Sequence, residues 1–480
     1  MNTEEVILYP QTEQVMNAFI HQFWEEKQEL TQKRVCEEIA DTQIEQLKCK
    51  GIPQESRPLE EVMEEMTEKI FKYRYNANHP RYLGFVPGPA SSLSWLGDVM
   101  TSAYNLHAGS WMSCPAASCI EQALLAWFCR QAGFTGDSKG INPGGIFVSG
   151  GSMANMTALI AARNKVLSDD TQHLGTAYVS EQTHSSVAKD LRIIGVTDKR
   201  IRKVPTDAHF RMDMRALQSA IREDIAAGFI PFVVIASAGT TNTGSIDPME
   251  EISALCQKYG IWMHVDGAYG ASILLSKKYR HLLNGVEKAD SLSWDAHKWL
   301  FQTYGCGMTL VKNRNDLFNS FSANPEYLHD LAAENEHFNA WDMGVELTRP
   351  ARGLRLWLTL QVLGQNTLSD AIEHGIQIAE YAEKELQKTA DIEILSPAQL
   401  AILTFRFAPN HLSEKEKDAL NQKISKKMLE NGYAGIFTTQ LAGRKVLRIC
   451  AIHPDTSEAD IHNTVSLLNQ FYRELCPEKL

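Results

Sequence analysis

The chain has 480 residues, with 47 basic against 58 acidic side chains and a formal net charge of −11, which excludes a broad basic face for nucleic acid or an anionic membrane. Hydrophobic residues make up 44% and charged residues 22%, a balance that excludes disorder and allows a buried core. Apolar runs such as Pro231 to Ala236 stop well short of the roughly 20 residues that span a bilayer, and Met1-Asn-Thr-Glu-Glu-Val6 lacks the basic start of a secretory signal. A cytoplasmic protein with no membrane partner is therefore expected.

In chain order, Val15, Met16, Phe19, Ile20 and Phe23 recur at helical spacing, and a second helical stretch is expected from Leu59 to Tyr75. Such a narrow apolar stripe needs another surface to cover it, and a neighbouring subunit is one candidate. From Gly144 onward, β-rich runs alternate with helical patterns. Gly145 to Ser149, Thr176 to Val179, Phe232 to Ile235, Ile261 to Val265 and Ser291 to Trp294 read as strands. Their near-continuous apolar character points to a mostly parallel sheet covered by helices on both faces. Beyond about residue 360, strands over Leu400 to Phe407 and Lys445 to Cys450, with helices near Glu414 to Asn431 and Ser457 to Leu475, form a small α+β unit. The nine cysteines are scattered without a Cys-x-x-Cys pair, so free thiols and no metal site are expected.

Three features fall where an open α/β sheet binds ligands, beyond the carboxyl ends of its strands. Ser149-Gly-Gly-Ser-Met-Ala154 follows a strand and opens a helix, which suits a phosphate: glycines admit close approach and the helix N-terminus favours an anion. Asp266 closes the strand from Ile261; it could cap a turn or hold a proton on a heteroaromatic nitrogen. Lys298 is flanked by Trp294, Trp299, Leu300 and Phe301, an apolar setting that would free its amine for Schiff-base chemistry. A phosphate cradle, a strand-end acid and a lysine in that order are what pyridoxal phosphate requires.

Further stretches, His79-Pro-Arg-Tyr-Leu-Gly-Phe-Val-Pro-Gly88, Gln182-Thr-His-Ser-Ser186, Asp266-Gly-Ala-Tyr269 and His297-Lys-Trp299, carry a resemblance through nearly the whole chain. The sequence resembles the pyridoxal-phosphate-dependent group II decarboxylases, within them the aromatic-L-amino-acid decarboxylases, and most of all the bacterial tryptophan decarboxylases. The resemblance implies the fold-type I PLP-dependent transferase-like α/β architecture. It implies a homodimer with active sites at the subunit interface: a helical dimerisation arm over residues 1–85, a large cofactor domain over 86–360 and a small C-terminal domain over 361–480.

The same resemblance implies roles for single residues. Lys298 forms the Schiff base with the cofactor and Asp266 pairs with its ring nitrogen, while His184 stacks on one ring face and Ala268 packs on the other. Thr240 lies near the ring oxygen or the substrate, Gly151 and Ser152 hold the phosphate, and His297 lies near the substrate carboxylate. Asp295 stands where relatives often carry Asn; a carboxylate there would repel a phosphate unless turned away or protonated. Tyr327 is implied as the proton donor on a mobile loop, with Asp330 to Ala340 as a lid. Phe85, Val86, Pro87, His107 and Trp111 match substrate-lining positions, some reaching in from the partner subunit, and Gly109 replaces a bulky Phe and leaves room for an indole. The implied reaction is decarboxylation of tryptophan, phenylalanine or tyrosine. The alternatives are an aldehyde synthase, or a decarboxylase of glutamate, aspartate or diaminobutyrate.

Overall fold

In the computed structural model, residues 9–137, 140–322 and 339–477 are described. Tyr327 and residues 330–338 of the expected lid lie outside them.

Seven strands form the large sheet: β1 (Gly144–Val148), β2 (Gly175–Ser180), β3 (Ile201–Val204), β4 (Ile230–Ser237), β5 (Trp262–Asp266), β6 (Ser291–Asp295) and β7 (Gly307–Val311), in the order β1-β7-β6-β5-β4-β2-β3. The pairs β2/β3, β2/β4, β4/β5 and β5/β6 are parallel, as the apolar runs predict. The edge departs from that expectation, because β7 runs antiparallel to both β6 and β1. Only residues 296–306 link β6 to β7, and they contain no crossover helix; so short a return suits an antiparallel neighbour.

Each face of the sheet buries its own core. Along β4, Val234 and Ala236 join one apolar cluster with Leu217, Ile221, Ile252 and Leu255 of the helices Met214–Ala226 and Met249–Tyr259. Val233 and Ile235 join another with Ala154, Leu159 and Ala162 of the helix Gly151–Val166 and Val187 and Leu191 of the helix Ser185–Ile193. Alternating side chains thus serve two layers of helices.

The small unit is an antiparallel sheet of β8 (Ile392–Gln399), β9 (Ile402–Phe407), β10 (Phe437–Leu441) and β11 (Arg444–Cys450), in the order β10-β11-β9-β8. β9 starts two residues later than the sequence suggests, because Leu400 turns the chain at φ 54°. The helix Gly353–Gln387, kinked at Gly364, joins the large unit to the small one.

At the N-terminus, no residue of the helix Thr12–Gln28 is buried by this chain. The second expected helix ends early: Leu59–Met66 is α-helical, Thr67–Phe71 is a single wide π-turn, and Tyr75 bridges to Cys36 in extended pairing. The flanking segments dock on the small unit through Val35 N–H to the Gly432 carbonyl and Leu83 N–H to the Gly435 carbonyl. All nine cysteines are free, and among the described residues no helix is long and apolar enough to cross a membrane.

Candidate active site

The parallel register sets the carboxyl ends of β2, β4, β5 and β6 side by side, and the loops that leave them surround a cavity of about 400 Å³. Gly151, Ser152, His184, Thr240, Asp266, Ala268, His297 and Lys298 all line it, so one cavity gathers every residue expected to contact the cofactor.

Gly150 precedes the helix Gly151–Val166, and no side chain caps that N-terminus, which leaves first-turn N–H groups facing the cavity for an anion. Neither glycine of the cradle has space for a side chain. A Cβ on Gly150 would lie 2.8 Å from His297 Cε1, and one on Gly151 would lie 2.9 Å from Asp295 Oδ2 and 3.0 Å from Ala268 Cβ. Thr240, buried, is fixed by a 2.7 Å hydroxyl contact with Thr243 and by the Ser245 N–H at 3.3 Å. His184 caps the helix Ser185–Ile193: its Nδ1 accepts from Ser186 N–H, which leaves an exposed ring at the rim.

Asp266 ends β5 with three donors on its carboxylate. Asn155 Nδ2 approaches Oδ2 at 3.1 Å, while Ala268 N–H and Ser293 Oγ approach Oδ1 at 3.2 and 3.3 Å. Asn155 went unassigned in the sequence; its only signal there is an amide in an Ala-rich helix.

The surroundings of Lys298 differ from the apolar setting expected. Trp294 and Trp299 turn into the core, where Trp294 Nε1 donates to Ser272 at 3.0 Å and Trp299 stacks on Tyr269 at 4.9 Å. The Lys298 amine instead meets Asp295 Oδ2 at 3.1 Å. Asp295 is therefore turned toward a cation. His297 sits 3.6 Å from the same oxygen, donates from Nδ1 to the Cys306 carbonyl, and is held below the usual imidazole range by burial, against the pull of Asp295.

The expected substrate residues lie outside this chain's own cavity. Phe85 is 60% exposed and leans on Phe437, His107 packs near Trp341, and Trp111 N–H donates to Asn339. A Cβ on Gly109 would stand 2.2 Å from the Leu347 carbonyl oxygen, so this backbone has no space for a larger side chain at that position. The smallness of the glycine serves close packing of the chain on itself.

A second carboxyl bears on Asp266. Asp190 is buried on the helix Ser185–Ile193, its Oδ2 has no partner, and burial together with the Asp266 charge pushes it up to about 7 from 3.8. The folded state thus keeps a proton that the unfolded chain releases, so apoprotein stability falls as pH rises from about 4 to about 7. Asp190→Asn is expected to remove that decline, and thermal unfolding of the apoprotein between pH 4.5 and 8 checks it. The gain over wild type should grow through this window and level off above it; a pH-independent difference contradicts the assignment.

A profile of the pyridoxal-dependent decarboxylase conserved domain matches residues 42–408. The chain belongs to the pyridoxal-dependent decarboxylase family. This decarboxylase is 37% identical to the aromatic-L-amino-acid decarboxylase of Bacillus atrophaeus over 434 residues, 90% of its own chain and 89% of the relative. It is 30% identical to a phenylacetaldehyde synthase of Arabidopsis thaliana over 426 residues, 87% of each chain. The solved structure of Oryza sativa TDC with PLP and tryptamine superposes at a TM-score of 0.90, with 26% identity and 99% of both chains covered. The decarboxylase uses pyridoxal 5'-phosphate. Its cavity fits that group: an uncapped helix end that tolerates no Cβ, a strand-end carboxylate and an amine face one space.

Proposed function

We propose that the decarboxylase removes the α-carboxylate of aromatic L-amino acids, converting tryptophan to tryptamine and phenylalanine and tyrosine to their amines. The observation that carries this reading is the meeting of the Lys298 amine, the Asp266 carboxylate and the free helix end around one cavity. Pyridoxal phosphate, when bound, supplies an electron sink for the pair left on Cα when carbon dioxide departs.

The chain's own residues then divide the work. Gly151 and Ser152 would hold the phosphate at the helix end, Lys298 would supply the amine that anchors the cofactor, and Asp266 would hold a proton on its ring nitrogen. His184, Ala268 and Thr240 would hold the cofactor ring, and His297 would bind the substrate carboxylate. Tyr327 returns a proton to Cα.

The aromatic preference rests on Phe85, Val86, Pro87, His107 and Trp111, which carry no acidic group and no Lys or Arg. Phe85 is 60%, Tyr104 77% and Met112 64% exposed, apolar surface that this chain leaves open. A second copy covers it in a homodimer and receives these side chains at its own cavity.

The test is carbon dioxide release by cytoplasmically expressed, cofactor-loaded enzyme from tryptophan, phenylalanine, tyrosine, glutamate and 2,4-diaminobutyrate, with mass analysis of products. Amines from the aromatic acids are expected. Turnover of only the acidic or diamino acids, or aldehydes in place of amines, overturns the reading.

A further inference from the structure

Behind Asp266 runs a line of buried polar groups that the reaction as described does not use. The parallel register of β5 and β6 places Ser291 beside His264 and Ser293 beside Asp266. His264 and Asp266, two residues apart, share the face of β5 that the helix Gly151–Val166 covers. Trp262 Nε1 lies 2.8 Å from Ser291 Oγ, Ser291 Oγ 2.8 Å from His264 Nδ1, His264 Nε2 3.0 Å from Asn155 Oδ1, and Asn155 Nδ2 3.1 Å from Asp266 Oδ2. Asn155, His264 and Ser291 are each at most 1% exposed.

The chemistry of the two ends, with a neutral imidazole between them, fixes the direction of every link. An indole N–H can only donate and a carboxylate can only accept. Ser291 therefore receives from Trp262 and gives its hydroxyl proton to His264 Nδ1, whose Nε2–H donates to the Asn155 carbonyl oxygen. That leaves the Asn155 amide N–H for Asp266. Turning the amide over would set its oxygen against the carboxylate. The arrangement needs a neutral imidazole, and burial holds His264 down at about 4.

We propose that Asn155 and His264 are positioning residues that aim the Asp266 carboxylate and hold its charge, through a one-directional hydrogen-bond relay anchored at Trp262. The relay rests on the reading that Asp266 pairs with the cofactor's ring nitrogen. A chain of aligned donors in a low-dielectric interior strengthens the last bond, the one to the anion. Without it, Asp266 keeps only Ala268 N–H and Ser293 Oγ, both on its other oxygen.

The experiment uses the cofactor-loaded enzyme and follows the visible absorption of the lysine-bound cofactor against pH, with kcat, KM and thermal unfolding. Asn155→Leu, close in shape but without an amide, is expected to move the midpoint of that titration by about one pH unit, the worth of a hydrogen bond to a charged group. It should lower kcat about 10-fold with KM changed less than about 2-fold. His264→Leu should act in the same direction, and His264→Gln, which keeps a donor toward Asn155, should restore most of the wild-type profile. Asn155→Ser repeats the test should the leucine variant fail to fold. Asp190, which bears on Asp266 from the neighbouring helix, and Lys189 beside it are unchanged in every variant, so their titration is common to all. Asp266→Asn serves as reference. A profile that Asp266→Asn leaves unmoved overturns the role of Asp266 itself. A profile moved by Asp266→Asn but by none of the Asn155 and His264 variants overturns the relay alone.

Discussion

Lys298→Ala is expected to lower kcat by about four orders of magnitude, the scale of losing one member of a catalytic unit, and to abolish the visible absorption of the bound cofactor. The amine projects into the cavity beside Asp295 Oδ2, 3.1 Å away, so it is placed both to condense with an aldehyde and to balance a carboxylate whose side chain is 2% exposed. Those two roles separate experimentally. Lys298→Ala also strips a buried carboxylate of its cation, which costs stability, whereas Lys298→Arg keeps a cation there but offers no amine able to condense. Unfolding curves of the two variants should therefore diverge while their activities fall together. Amine production by the arginine variant at a wild-type rate would remove Lys298 from the chemistry.

Tyr327→Phe is expected to cut amine output by about 10²- to 10⁴-fold, the contribution of a positioned general acid, with cofactor binding intact. The prediction turns on the phenol proton alone, since the two side chains differ by one hydroxyl. Product analysis by mass gives the sharper readout: with the proton donor gone, product should shift from amine toward aldehyde, with dissolved dioxygen as the two-electron oxidant, water supplying the carbonyl oxygen, and ammonia and hydrogen peroxide released. An unchanged yield of amine would assign proton return to another group.

Both predictions came into view from short motifs, and so did most of the cofactor cavity. Gly151 and Lys298 follow strands and Asp266 ends one, and an open parallel sheet brings all such positions to one edge. Loop chemistry that depends only on being at a strand end is therefore legible without coordinates. The small sheet was half legible. β9 and β11, central and apolar, read as strands, whereas edge strand β8 contains Pro397 and edge strand β10 is half polar; edges tolerate residues that central strands do not.

What misled was the use of sequence neighbours as spatial neighbours. Trp294 and Trp299 flank Lys298 along the chain, yet strand alternation and the following turn send the indoles to the core and the amine to Asp295. Phe85 and Trp111, expected at a pocket shared with a partner subunit, do not line this chain's own cavity.

The sequence by itself determined the α/β class and, through side-chain chemistry at strand ends together with the family resemblance, the cofactor and the residues that ring the cavity. Only the tertiary structure decided which partner each group meets: Asp295 for Lys298, and Asn155 with His264 behind Asp266. The reason is distance along the chain. Asn155 and Asp266 are 111 residues apart, and no local pattern encodes a hydrogen bond that exists only after a helix and a strand have packed face to face.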